Sequence, residues 1–337
     1  MIGLLTAALT AALTAALTAA IAARRRVSAV LVALLALAGA ESASAQTQLV
    51  IVSGLSGDPK YAQAFSATAH ALAKAAHDRA QLADSNIAWL GEAPTVSSPW
   101  YRGQSRRENV ERVLARLAAR PDSSEQVVLV LVGHGAGEGA ETRLSLPGAD
   151  LTAADFARLL ASLGNRRVAF VNLTSASGDM LNVLAAPNRV VMTATKSAFE
   201  RNESQFGRFF VDAFAQDGAD ADKDGRVSLL EAFRYAEAET KRFYDDQGRL
   251  ATEHPQMADE GQLARRFFLA AGKFGGAVAD SRLSALYAER FTLDEQIQAL
   301  KKKKVGMDAS AYERELERLL LDLARKAREI RKLERGA

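Results

Sequence analysis

Cysteine is missing from all 337 residues. That excludes disulfides, a thiolate metal site and a cysteine nucleophile. An excess of charge of either sign is nearly missing as well: 43 Lys and Arg stand against 40 Asp and Glu, a formal +3. So even a balance gives no electrostatic footprint for nucleic acid, and no nucleic-acid partner is expected. The chain is long enough for one large domain or two smaller ones, and 48% of it is apolar, enough for a sizeable core.

The small positive excess comes from the N-terminus. Arg24, Arg25 and Arg26 precede an apolar run, Val27 to Leu37, and the small-residue end Ala43-Ser44-Ala45. This is the order of a secretory signal, with cleavage expected before Gln46; an uncleaved membrane anchor is the alternative. Loss of residues 1–45 removes three arginines and Glu41 and leaves a formal +1. The mature protein is then periplasmic or extracellular. The first 23 residues repeat Leu-Thr-Ala-Ala, and no function is assigned to such low-complexity sequence.

From residue 46 the chain alternates between apolar runs and amphipathic stretches. Strands are expected at TQLVIVSGL (47–55), NIAWLGE (86–92), QVVLVLVGHG (126–135), RRVAFVNL (166–173) and RVVMTAT (189–195). Helices are expected between them. One begins at Ser105, with Glu108 in capping-box spacing, and another has Thr152 as N-cap and Gly164 as its stop. Near-continuous apolar strands separated by helices predict an α/β fold with a mostly parallel sheet flanked by helices on both faces. Ligands on such sheets bind beyond the carboxyl ends of the strands. His134 and the hydroxyls Thr174, Ser175 and Ser177 fall at two such ends.

A histidine there can take a proton from a hydroxyl. Glycines beside it, Gly133 and Gly135, let backbone N–H groups approach a developing oxyanion. The plainer alternative is a hydroxyl capping the helix at 179–184 and a histidine held by backbone.

The order of LVGHG (131–135), a helix, then SASGD (175–179) and VVMTATKSAFERNESQFGRFF (190–210) resembles the caspase/legumain clan of peptidases. It is closest in pattern to bacterial legumain-like (C13-like) proteins, over roughly Leu49 to Leu269. The resemblance implies a caspase-like α/β domain at 46–275. It makes His134 the general base, the Gly135 backbone an oxyanion-hole donor, and Ser175 the occupant of the nucleophile position, with Thr174 one residue away. The family uses a cysteine there. A thiol is partly ionised at neutral pH, whereas a serine hydroxyl needs an aligned base, itself oriented by a third group. The replacement implies a catalytically degenerate protein that binds a peptide or protein partner. The alternative is a serine-type peptidase or acyl hydrolase with Glu138, Glu141 or Asp155 orienting His134.

DADKDGRVSLLE (220–231) fills every position of the D-x-D-x-D-G-x5-E pattern of an EF-hand loop. Asp220, Asp222, Asp224, the Arg226 carbonyl, Ser228 (through water) and Glu231 are the expected ligands of a Ca2+ ion. The alternative is a solvated acidic turn. TEHPQMADEGQ (252–262) holds Glu253, His254, Asp259 and Glu260, which line a metal or peptide site or else a closing surface loop. His70 and His77, two turns apart on a helix, are expected at the surface.

The C-terminal stretch 280–337 follows a flexible junction at 274–281. Leu286, Leu293, Ile297 and Leu300, then Tyr312, Leu316, Leu319, Leu323, Ile330 and Leu333, keep heptad-like spacing across a break at KKKKVGMD. This predicts an antiparallel helical hairpin or coiled-coil arm, suited to self-association or docking. Lysines 301–304 face an anionic partner or simply end a solvated helix. A third functional reading is then a purely structural envelope scaffold organised by that arm.

Overall fold

The computed structural model describes residues 47–334, apart from 94, 96, 122–124, 261 and 270–280. The expected signal segment and all but the last residue of the expected 274–281 junction lie outside the described residues. Among the described residues, no helix is long and apolar enough to cross a membrane.

The five expected strands form: β1 (Thr47–Ser53), β2 (Ile87–Gly91), β4 (Gln126–Val132), β8 (Val168–Asn172) and β9 (Arg189–Thr193). Two short strands extend the sheet at its edges. β3 (Tyr101–Gln104) pairs parallel with β2, and β10 (Gln256–Ala258) pairs antiparallel with β9. The order is β10-β9-β8-β4-β1-β2-β3, seven strands and mostly parallel. The edge strands carry no long apolar run, which is why their sequences read as loop. A second small sheet, β5 (Gly135–Ala136), β6 (Arg143–Leu144) and β7 (Leu151–Thr152), grows directly from the end of β4.

Side chains alternate across the strands, so each strand feeds two cores. Leu49, Ile51, Val128, Val130, Ala169 and Val171 pack with α1 (Pro59–Asp78), α5 (Phe206–Ala215) and α6 (Leu229–Asp246). Val50, Val52, Leu129, Leu131, Val168 and Phe170 pack with α2 (Arg107–Ala118), α3 (Ala153–Ala161) and α4 (Met180–Leu184). Burying side chains of this size contributes about 1.5–3 kcal/mol each. That explains why both faces must be apolar and why the strands show no polar alternation.

The helix starts divide by their chemistry. Asp58 caps α1, with Pro59 at the first turn. Thr152 and Asp155 form a capping box on α3. The capping box expected at Ser105 and Glu108 does not form. α2 starts after Arg106 without a side-chain cap, and Ser105 Oγ is buried with no partner. The Ser105 backbone N–H instead donates to the Gly91 carbonyl, which draws the residue into the sheet. His70 and His77 are half-buried rather than free at the surface, and their rings pack on that of Trp100.

The tail folds as two antiparallel helices, α7 (Ser281–Lys303) and α8 (Ala309–Glu334). Leu300 meets Tyr312 near the turn, and Leu286 meets Ile330 at the far end. The hairpin is tied to the sheet domain. Arg234 pairs with Glu295 at 3.1 Å, and Arg265 donates to Thr292 Oγ1 at 2.9 Å while lying over the Phe291 ring.

The Asp155 carboxylate accepts from Arg107 at 2.6 Å and from Arg158 at 2.8 Å as well as from the cap. Arg107 beside it holds the carboxyl well below the usual carboxylate range. A depressed carboxyl contributes stability above its unfolded pKa and loses it as pH falls. Asp155→Ala is therefore expected to cost about 1–2 kcal/mol at neutral pH. Urea denaturation should show this gap from wild type closing as pH drops below about 4; a gap independent of pH would contradict the assignment.

Candidate functional site

β4 and β8 are adjacent and parallel, with Leu131 opposite Asn172, so the segments that follow them leave the sheet at one rim. Gly133-His134-Gly135 follows β4, and Leu173 to Gly178 follows β8. The two segments touch through backbone. A Cβ on Gly135 would lie 2.2 Å from the Ser175 carbonyl oxygen and 2.7 Å from Thr174 Oγ1. Only glycine allows this approach. As a result His134 and Ser175 line one pocket of about 320 Å³. Tyr61 and Phe65 of α1 form one wall, and Gln205, Gly207 and Arg208 at the start of α5 form another.

The His134 ring is wedged between aromatics, edge-on to Tyr61 at 4.6 Å and to Phe65 at 5.0 Å. Its backbone carbonyl accepts from the Ser145 N–H. Among the described residues, no hydrogen bond joins the imidazole to Ser175 Oγ or to any carboxylate. The three acids considered for orienting it are placed otherwise. Asp155 is spent on the α3 cap and Arg107, Glu138 faces Arg201 at 4.0 Å, and Glu141 is exposed on a short 3-10 turn.

The hydroxyls after β8 have separate roles. Thr174 Oγ1 donates to the Ser175 carbonyl at 3.1 Å, and the Asn172 side chain accepts from the Thr174 N–H. Ser177 Oγ is buried against Thr195 Oγ1 at 3.1 Å. Ser175 Oγ alone lacks a protein hydrogen-bond partner among the described residues while lining the pocket. None of them caps α4, whose first turn has no side-chain cap. The turn is sharp: Ala176 has φ +51°, and its N–H donates to the Glu200 carbonyl. An unassisted serine and an imidazole held by aromatic edges can line a binding site. Acyl transfer by serine requires an aligned proton acceptor, and among the described residues no hydrogen bond aligns His134 with Ser175.

The acidic segment after α6 does not converge on a site. Glu253 is buried and caps α5, accepting from Ser204 Oγ, the Gln205 and Phe206 N–H groups and Tyr244 Oη. His254 turns to Glu200, with Nδ1 2.5 Å from its carboxylate. Asp259 accepts from the N–H groups of Leu263 and Ala264. Glu200 thus braces the Ser175 turn through its carbonyl and His254 through its side chain. No sequence signal marks it, because both partners are distant in the chain.

The 220–231 loop joins α5 to α6. Carboxylate oxygens of Asp220, Asp222 and Asp224 lie within 4.8 Å of one another and could hold a metal ion. Asp220 Oδ2 accepts from the Gly225 N–H at 3.0 Å, and Oδ1 is buried without a partner. Gly225, at φ +83°, makes the turn possible. Glu231 stands apart from the three aspartates. Oε1 accepts from the Ala221 and Asp222 N–H groups, and Oε2 from the Ser228 N–H and hydroxyl. Ser228 is thereby committed to a capping box. Arg226 lays its guanidinium over the Phe268 ring, 3.9 Å from the centroid. Burial pushes Glu231 up to about 7 and raises Asp220 and Asp222 above the usual range. Neighbouring aspartates push the same way, so positive charge in the loop relieves both effects. In place of a second such loop, the 267–268 segment pairs with this one: Ser228 bridges Phe268, and the Leu229 N–H donates to the Phe267 carbonyl.

Gly135→Ala is expected to force the rim segments apart, costing about 1–3 kcal/mol. Thermal or urea unfolding checks this, and a variant as stable as wild type would contradict the backbone contact.

No protein-family model and no curated protein matches this chain.

Proposed function

We propose that the chain is an exported, legumain-like α/β protein that binds a peptide or protein segment at the His134–Ser175 pocket without cleaving it. Ca2+ in the 220–231 loop stiffens the α5–α6 pair. The observation that carries the reading is the His134 ring: it shares a pocket with Ser175 yet meets aromatic edges and, among the described residues, hydrogen-bonds to no carboxylate. The seven-stranded, mostly parallel sheet is compatible with the caspase-like fold that the sequence resembles.

A fluorophosphonate probe is expected to leave wild-type Ser175 unlabelled. Ser175→Cys is expected to gain slow cleavage of short peptides, because a thiolate needs less help from His134. Labelling of Ser175 that disappears in His134→Ala would instead select the serine-hydrolase reading. A Ser175→Cys protein that neither cleaves nor binds peptides would select the scaffold reading.

Asp220, Asp222, Asp224 and Glu231, with the Arg226 carbonyl, are the residues to hold the calcium; Glu231 must turn from its N–H partners to join them. Bound calcium would add positive charge among the three aspartates, beyond the single ion pair that Arg226 makes with Asp224 at 3.3 Å. Even at the weak end of such loops, a Kd of about 10⁻⁴–10⁻³ M, extracellular calcium suffices. Excess Ca2+ over chelator is expected to raise Tm, and Glu231→Gln to abolish the rise; an unchanged wild-type Tm removes calcium from the reading.

A further inference from the structure

A second cavity, of about 340 Å³, lies over β1 and β2 beside α2 and shares no residue with the rim pocket. Four arginines surround it: Arg102 from β3, and Arg112, Arg116 and Arg120 along α2 and just beyond its end. The four-residue spacing of the last three puts them in one row on the helix. Among the described residues no carboxylate lines the cavity. Its floor is apolar and includes Val50, Ala88 and Leu90.

The guanidiniums are incompletely neutralised. Arg120 approaches Glu125 at 3.5 Å. Arg102 is held by backbone carbonyls, those of Pro99 and Asp84, which fix its plane without cancelling its charge. Arg112 donates to the neutral Asn109 side chain at 2.7 Å. Among the described residues neither Arg112 nor Arg116 has a carboxylate partner. Four like charges around one opening raise its potential and concentrate anions there. A carboxylate engages one guanidinium fork, whereas the oxygens of a phosphate accept from several at once.

We infer that this cavity is a binding site for a phosphate group carried on a small, partly apolar body. The arginine wall takes the phosphate and the Val50–Ala88 floor takes the apolar part. The volume falls at the lower end of the range for small-ligand pockets, about 300–1,000 Å³. A soluble phosphate compound and a lipid headgroup present the same oxygens to this wall.

The full chain should be titrated calorimetrically with inorganic pyrophosphate and, separately, with citrate. Co-sedimentation with phosphatidylglycerol-containing vesicles and with pure phosphatidylcholine vesicles supplies the lipid arm. Pyrophosphate is expected to bind, more weakly as salt rises. Arg112→Gln with Arg116→Gln is expected to weaken it roughly tenfold per guanidinium removed. Both side chains are exposed on α2, so folding should survive. Arg318→Gln with Arg325→Gln, both on the remote hairpin, serves as the charge-matched control and should change nothing. Binding to phosphatidylglycerol vesicles alone, lost in the double variant, identifies the headgroup as the source and still supports the site. Three results would overturn it: no binding in either arm, citrate binding as tightly as pyrophosphate, or a double variant indistinguishable from wild type.

Discussion

The governing constraint is that both faces of one parallel sheet must be kept from water. β1, β4 and β8 bury every residue. Helices must therefore cover both faces, and polar chemistry can appear only where strands end. That condition brings His134 and Ser175 together: their strands are neighbours, and the loops that follow have one rim to occupy. It also explains the close backbone contact at Gly135, because two loops leaving adjacent strands compete for the same space.

Much of this was legible in the amino-acid order. Runs such as QVVLVLV are too apolar for a one-sided strand, and the tail's heptad spacing matched the residues that now form the hairpin core. Thr152 caps α3 as expected, while Asp155, considered for orienting His134, completes that cap instead. Other features depend on contacts that local pattern does not encode. Ser105 has the residue types for a cap, but the sheet claims its backbone. Glu253 looked like a ligand because it sits among acids; 49 residues away in sequence, Ser204 makes it a helix cap. Tyr61 and Phe65 carried no signal as site residues, since on a helix they read as an amphipathic face.

The acidic loop shows the same division. Its spacing alone drew attention to Asp220, Asp222 and Asp224, and the structure clusters them. The position of Glu231 follows a pattern the sequence also holds, since Ser228 and Glu231 have capping-box spacing and form that box. Buried beside its own capping serine, it finds backbone N–H donors within the loop, and these compete with any cation for its oxygens. The loop also has a mechanical neighbour: Arg290 of the hairpin donates to the Ala221 carbonyl at 3.2 Å. The hairpin therefore rests on the loop, and a rearrangement of the 220–231 backbone is felt in the tail.

The two borders of the main sheet are both short. On one side β3 has four residues and joins β2 across an irregular register; on the other, β10 has three and runs opposite to its neighbour. A fibril-forming protein needs a long, flat ladder of free amides on which another chain can template itself. Neither border offers one, so the valine-rich centre of the sheet is guarded against edge-on pairing by the geometry of its borders, without relying on net charge.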